Sequence, residues 1–96
     1  MGGYSHLADN ASSSNNSVVL DNSESMYVYG GLNNNMNEGS KTVAHNNTVT
    51  LKNGSSAMYV FGGAGEFANG NTINIQASTV TAAISAGVGT SGEANN

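Results

Sequence analysis

The sequence predicts an all-β chain, a parallel β-solenoid of about three coils forming one small domain, and three recurrences carry that expectation. Pairs of small residues return at Gly2-Gly3, Gly30-Gly31, Gly62-Gly63 and, in degenerate form, Ala86-Gly87, at spacings of 28, 32 and 24 residues. Inside each interval an Asn-led apolar segment returns: Asn15-Asn16-Ser17-Val18-Val19-Leu20, Asn46-Asn47-Thr48-Val49-Thr50-Leu51 and Gly70-Asn71-Thr72-Ile73-Asn74-Ile75. Each interval closes on a third marker, Met26-Tyr27-Val28-Tyr29, Met58-Tyr59-Val60-Phe61 and, more loosely, Ala82-Ala83-Ile84-Ser85. Self-similarity at this period is the signature of stacked repeats, each of which buries its apolar face only against a neighbour.

The coils run at approximately 2–29, 30–61 and 62–85, with a partial fourth over 86–96. Within each, the first segment alternates with period 2. Val18 and Leu20, Val49 and Leu51, and Ile73 and Ile75 point inward, while Val19, Thr50 and Asn74 point out. The same alternation in the second segment places Met26 and Val28, Met58 and Val60, and Ala82 and Ile84 on one inward face. Short β-branched runs bounded by Asn and Gly read as strands, and no window carries the apolar stripe of an amphipathic helix. The distance from the Asn marker to the closing small residue is nearly constant, 14, 15 and 15 residues. Length variation therefore falls into segments expected to be loops, at 4–14, 32–45 and 64–69.

Composition sets the limits on function. Of 96 residues, 16 are Asn, 13 Ser, 13 Gly and 7 Thr, with no Cys, Pro or Trp. Polar tracts of this kind suit disorder, and the in-register repeat is what argues for a fold instead. Two lysines, Lys41 and Lys52, against six carboxylates give a net charge of −4. A phosphate backbone would find almost no counter-charge on such a surface, so no nucleic-acid partner is expected. No apolar run approaches the ~20 residues that span a bilayer, so no membrane insertion is expected, and the N-terminus lacks the charged and apolar regions of a signal peptide. Both ends fall where a repeat would continue, which reads as a segment of a longer array.

Candidate sites follow from the strand phase. Asn16, Asn47 and Asn71 share the parity of the inward residues, and stacked on successive coils they are expected to form an internal asparagine ladder at a corner. Turn residues alone would not need to recur in register. Tyr27 with Tyr59, and Tyr29 with Phe61, align as an aromatic stripe. It is a candidate contact for a glycan or a partner surface, although cross-strand pairing or packing under the long loop is the favoured explanation, since the third repeat replaces it with Ala83 and Ser85. Thr48 and Thr50 suggest the threonine arrays that bind ice, but their counterparts Ser17/Val19 and Thr72/Asn74 break the array.

The remaining candidates for chemistry are thin. Gly62-Gly63-Ala64-Gly65-Glu66-Phe67 resembles half of a calcium-binding nonapeptide, yet lacks its Asp and its nine-residue recurrence. Asp9, Asp21, Glu24, Glu38, Glu66 and Glu93 are scattered through turns and loops. Asp21 and Glu24 come close only in one turn, aligned with Lys52/Ser55 and Gln76/Thr79. His6 and His45 lie in polar segments without a neighbouring nucleophile or carboxylate. No catalytic residue, cofactor or metal site is expected. Four Asn-x-Ser/Thr sequons, at Asn10, Asn15, Asn46 and Asn53, are about what chance supplies in this composition.

Asn-Asn-Thr-Val-Thr-Leu followed by Met-Tyr-Val-Phe-Gly-Gly resembles the repeats of bacterial autotransporter passengers and related surface adhesins. The resemblance extends over essentially the whole chain. It implies a right-handed parallel β-helix, secreted and displayed at the cell surface, non-catalytic, with a host protein or glycan as partner. It carries no catalytic residue onto any position here. On this reading the chain is a structural or adhesive segment presenting its variable loops, the long one between Leu32 and His45 above all. The alternative is a subunit that self-associates end to end through exposed strand edges. An ice-binding solenoid and a polysaccharide-active fragment are the weaker alternatives, the latter needing a carboxylate cluster that the repeats do not supply.

Overall fold

A computed structural model describes residues 2–5, 12–33 and 43–89. Every regular element among them is a strand, and none of these residues is helical. In chain order the strands are β1 (Tyr4–Ser5), β2 (Ser17–Asp21), β3 (Glu24–Asn33), β4 (Thr48–Lys52), β5 (Ser56–Gly65), β6 (Thr72–Ile75), β7 (Thr79–Ser85) and β8 (Val88–Gly89). They form two parallel sheets, a larger one in the order β1-β3-β5-β7 with β8 also on β5, and a smaller one in the order β2-β4-β6. The chain thus alternates between sheets, and β2–β3, β4–β5 and β6–β7 make three successive layers.

Register is set by like residues lying over like. In the smaller sheet Val18 pairs with Val49 and Val49 with Ile73, while Leu20 pairs with Leu51 and Leu51 with Ile75. In the larger sheet Val28 pairs with Val60 and Val60 with Ile84. A one-residue slip would turn every inward side chain outward, so these β-branched columns hold the alignment. A third line of contact joins the layers away from both sheets, through parallel bridges from Ser12 to Val43 and from Val43 to Phe67.

The core lies between the two sheets. Val28, Val49, Leu51, Ala57 and Val60 are buried, with Val18, Leu20, Ile73 and Val80 packed against them. Two expectations about this core are corrected. Met26 and Met58 do not face inward; they are 60% and 42% exposed, and Ser25, Ala57 and Val80 take the inward position. Alternation breaks at this point of β3 and β5, so that Met26 and Tyr27 both turn outward, and β7 carries an extra residue where its register with β5 shifts between Ala57 and Tyr59. Such an irregularity bends a strand and re-aims its side chains. Ile75 and Ile84 keep the register of Leu51 and Val60, yet they are 37% and 54% exposed, because β6 and β7 are outer strands of their sheets.

The segments expected to be loops are only partly so. Of 32–45, Leu32 and Asn33 belong to β3, and Val43–His45 form a corner against the neighbouring layers. Residues 6–11 and 34–42 lie outside the described residues, as do His6, Asp9, Glu38, Lys41 and Glu93. Segment 64–69 is packed rather than extruded: Ala64, Gly65, Glu66 and Ala68 are buried, and Phe67 bridges to Val43.

Candidate functional site

The corner before the smaller sheet has one backbone conformation in all three layers. Asn15, Asn46 and Gly70 adopt the left-handed conformation, with φ of 62°, 58° and 69°, a region that Asn and Gly enter most easily. That turn aims the next residue, Asn16, Asn47 or Asn71, into the interior. Asn16 donates from its backbone N and from Nδ2 to Oδ1 of Asn47, both at 3.0 Å. Asn47 repeats the pattern on Oδ1 of Asn71, at 3.0 and 2.9 Å. The second Nδ2 hydrogen of Asn47 goes to the Ser13 carbonyl at 2.9 Å, and Nδ2 of Asn71 donates to the Ala44 carbonyl at 2.9 Å. Asn47 therefore spends both amide hydrogens and accepts twice, which is why its amide can be fully buried.

This ladder also accounts for the glycine pairs. A Cβ on Gly31 would lie 2.4 Å from the Ser13 carbonyl oxygen and 2.7 Å from Nδ2 of Asn47. On Gly63 it would meet Nδ2 of Asn71 at 2.8 Å and the Ala44 oxygen at 2.9 Å. The Asn marker and the Gly-Gly marker are two sides of one close approach: the amide fills the space that the missing side chain leaves.

Two further columns escape a reading by residue type. At the corner between the sheets, Ser23 donates its N–H to Oγ of Ser55 at 3.1 Å, and Ser55 donates its own to Oγ of Ser78 at 3.2 Å. Each serine follows a left-handed residue, Asn22, Gly54 or Ala77. The recurrence is visible once Gly54 is recognised as an extra residue of the second corner. Without that gap Ser55 aligns with Glu24, whereas the structure pairs Glu24 with Ser56. The other column runs through Ser14, His45 and Asn69: N–H of His45 donates to Ser14 Oγ at 3.1 Å, and N–H of Asn69 donates to Nδ1 of His45 at 3.0 Å.

On the outer face of the larger sheet the structure brings the four aromatic residues together. Tyr27 and Tyr59 stack with centroids 5.0 Å apart and planes 9° from parallel, and Tyr29 and Phe61 stack at 5.1 Å and 20°. Tyr59 and Phe61 lie side by side at 6.4 Å with planes 4° apart, so the two columns form one array. Ala83 and Ser85 follow in register, and the array stops at the second layer. Beside it an open depression of about 470 Å³ is lined by Glu24 and Ser56, by Met26 and Met58, and by Thr81. Exposed thioethers next to a half-exposed Tyr27 make this the most adaptable apolar surface described.

Ionisable groups do not converge. Among the described residues no three His, Cys, Asp or Glu side chains are placed to hold a metal ion. Asp21 accepts a hydrogen bond from Nδ2 of Asn53 at 2.8 Å across the layers. Glu66 is buried, and no buried side-chain N or O among the described residues lacks a hydrogen-bond partner. Comparisons with protein-family models, with curated proteins and with solved structures return no match.

Proposed function

We propose that the chain is a segment of a parallel β-solenoid with a structural, surface-presenting role in an extracellular bacterial protein of the autotransporter-passenger kind. The observation that carries the solenoid reading is the continuity of the asparagine ladder through three layers whose strands are all parallel and in register. Stacked layers of this type make a rigid support, because the inner strands β3, β4 and β5 commit their backbone N–H and C=O groups to neighbours on both sides. The surface reading rests on the aromatic array and the methionine-lined depression beside it, an exposed apolar patch on the larger sheet. Location at the cell surface rests on the repeat resemblance. A host-surface protein or glycan is the contact it implies.

The test is binding of the purified chain to host-cell surfaces and to an immobilised glycan panel, with Tyr27→Ala/Met58→Ala beside it. Saturable binding that the double variant loses supports a contact surface at this face. Binding that survives the substitutions, or none, removes it.

A second reading, end-to-end self-association, is favoured by Ile75 and Ile84, which keep core register yet stand exposed on outer strands. Light scattering over a hundredfold concentration range separates the two readings. A constant mass near that of one chain supports the presenting segment, and growth into rods of uniform width supports the filament.

A further inference from the structure

Two Asn-Gly dipeptides occur in the chain, Asn53-Gly54 and Asn69-Gly70, and the structure treats them differently. Asn53 and Gly54 form the widened corner between β4 and β5, both in the left-handed conformation with φ of 56° and 79°, and both are exposed. Around Gly54 the position a Cβ would occupy is open to solvent, with nothing within 4 Å. Among the described residues, Asn53 and Gly54 themselves reach the neighbouring layers through two bonds, Gly54 N–H to the Ala77 carbonyl at 2.8 Å and Asn53 Nδ2 to Oδ1 of Asp21 at 2.8 Å, while the next residue, Ser55, bonds to Ser23 and Ser78. Asn69-Gly70 is clamped instead. Asn69 N–H is held by the His45 ring, its carbonyl accepts from Asn46 N–H at 3.1 Å, and the space at Gly70 is closed by Oδ1 of Asn46, 2.5 Å from where a Cβ would lie.

From this contrast we propose that Asn53 is a site of spontaneous deamidation that loosens the joint between the first and second layers. When the exposed corner opens locally, the Gly54 backbone nitrogen, having given up its proton, attacks Cγ of Asn53. The Cγ–Nδ2 bond breaks, and ammonia leaves carrying that nitrogen and the proton taken up. The succinimide ring so formed is opened by water at either carbonyl, giving aspartate or isoaspartate with no change of oxidation state. Glycine at the following position is what allows the attack, since it places no side chain beside the nucleophile. The product has a defined structural effect. The Asn53 amide donates to the Asp21 carboxylate, and a carboxylate in its place removes the donor and sets two negative charges against each other. Asp21 thus has two roles: it restrains the amide before conversion and opposes the product after it.

The experiment is peptide mapping by mass spectrometry of the intact chain held in mildly alkaline buffer, with the urea-unfolded chain run alongside. In the folded protein, conversion at Asn53 is expected to be about tenfold faster than at Asn69, because local opening differs between an exposed corner and a clamped one. In urea the two sites should converge. Asp21→Ala should accelerate Asn53, and Gly54→Ala should suppress it. Asn53→Asp should lower the midpoint of thermal unfolding, with the loss reduced by added salt and absent when Asp21→Ala is also present. Equal rates at the two sites in the folded chain overturn the proposal. So does an unconverted Asn53 under conditions that convert it in urea.

Discussion

The amide column inside the molecule and the aromatic columns outside it are built on the same repeat, and they fail differently. Both lay one side-chain type over itself at the spacing of adjacent strands, about 4.8 Å. Inside, Asn16, Asn47 and Asn71 occupy every layer, since a layer that lacked its amide would leave donors and acceptors of its neighbours buried and unmatched. Outside, the rings of Tyr27 and Tyr29 lie over Tyr59 and Phe61, and the third layer then substitutes Ala83 and Ser85 at no polar cost. Recurrence in this molecule therefore measures how much an interruption costs. A buried polar ladder allows none, and an exposed apolar one allows many.

Substitutions can break or sharpen that contrast. The largest effect is expected from Asn47→Ala, which strips the backbone N–H and Nδ2 of Asn16 of their shared acceptor, and Oδ1 of Asn71 and the Ser13 carbonyl of one donor each. At ~1–3 kcal/mol for each buried group left unmatched, a loss of about 4 kcal/mol is expected, read as a fall in the midpoint of urea unfolding. Gly31→Ala forces a methyl group onto the Ser13 carbonyl and should cost about 2–3 kcal/mol by the same measurement. If it proves neutral, the close approach of glycine to amide does not govern the layer spacing.

Smaller effects probe the columns at the periphery. Ser55→Ala removes the acceptor for Ser23 N–H and should cost about 1–2 kcal/mol, with a loss of hydrogen-exchange protection confined to the β2–β3 and β4–β5 corners. Tyr27→Ala should cost no more than about 1 kcal/mol, since half of its surface already faces solvent and only one stacking contact is lost. A larger loss for Tyr27→Ala than for Asn47→Ala would reverse the comparison altogether.

Much of this arrangement is legible in the residues, and the parts that are not have identifiable causes. The Asn markers, the Gly pairs and the β-branched columns recur at constant spacing, so strand positions and the meeting of Asn16, Asn47 and Asn71 can be read from spacing alone. Ser23, Ser55 and Ser78 cannot be matched that way, because Gly54 adds a residue to one corner and moves every later comparison by one. Met26 and Met58 mislead because period-2 reasoning assumes an unbent strand, and the alternation breaks at those residues. The line through Ser12, Val43 and Phe67 consists of single-residue bridges, too short to leave any period. Segment 64–69 looks like a loop because it is short and rich in Gly and Ala, the same small residues that let it pack between layers.

One property of the amide column reaches beyond its contribution to stability. Each bond from one amide to the next runs the same way, from Asn16 to Asn47 and from Asn47 to Asn71, so the moments of these bonds add instead of cancelling. The column is vectorial. A layer turned over would present acceptor to acceptor, and half a layer would present nothing, so insertions and deletions across this interior are restricted to whole units in one orientation. Lengthening by duplication satisfies that grammar automatically, whereas piecemeal growth does not.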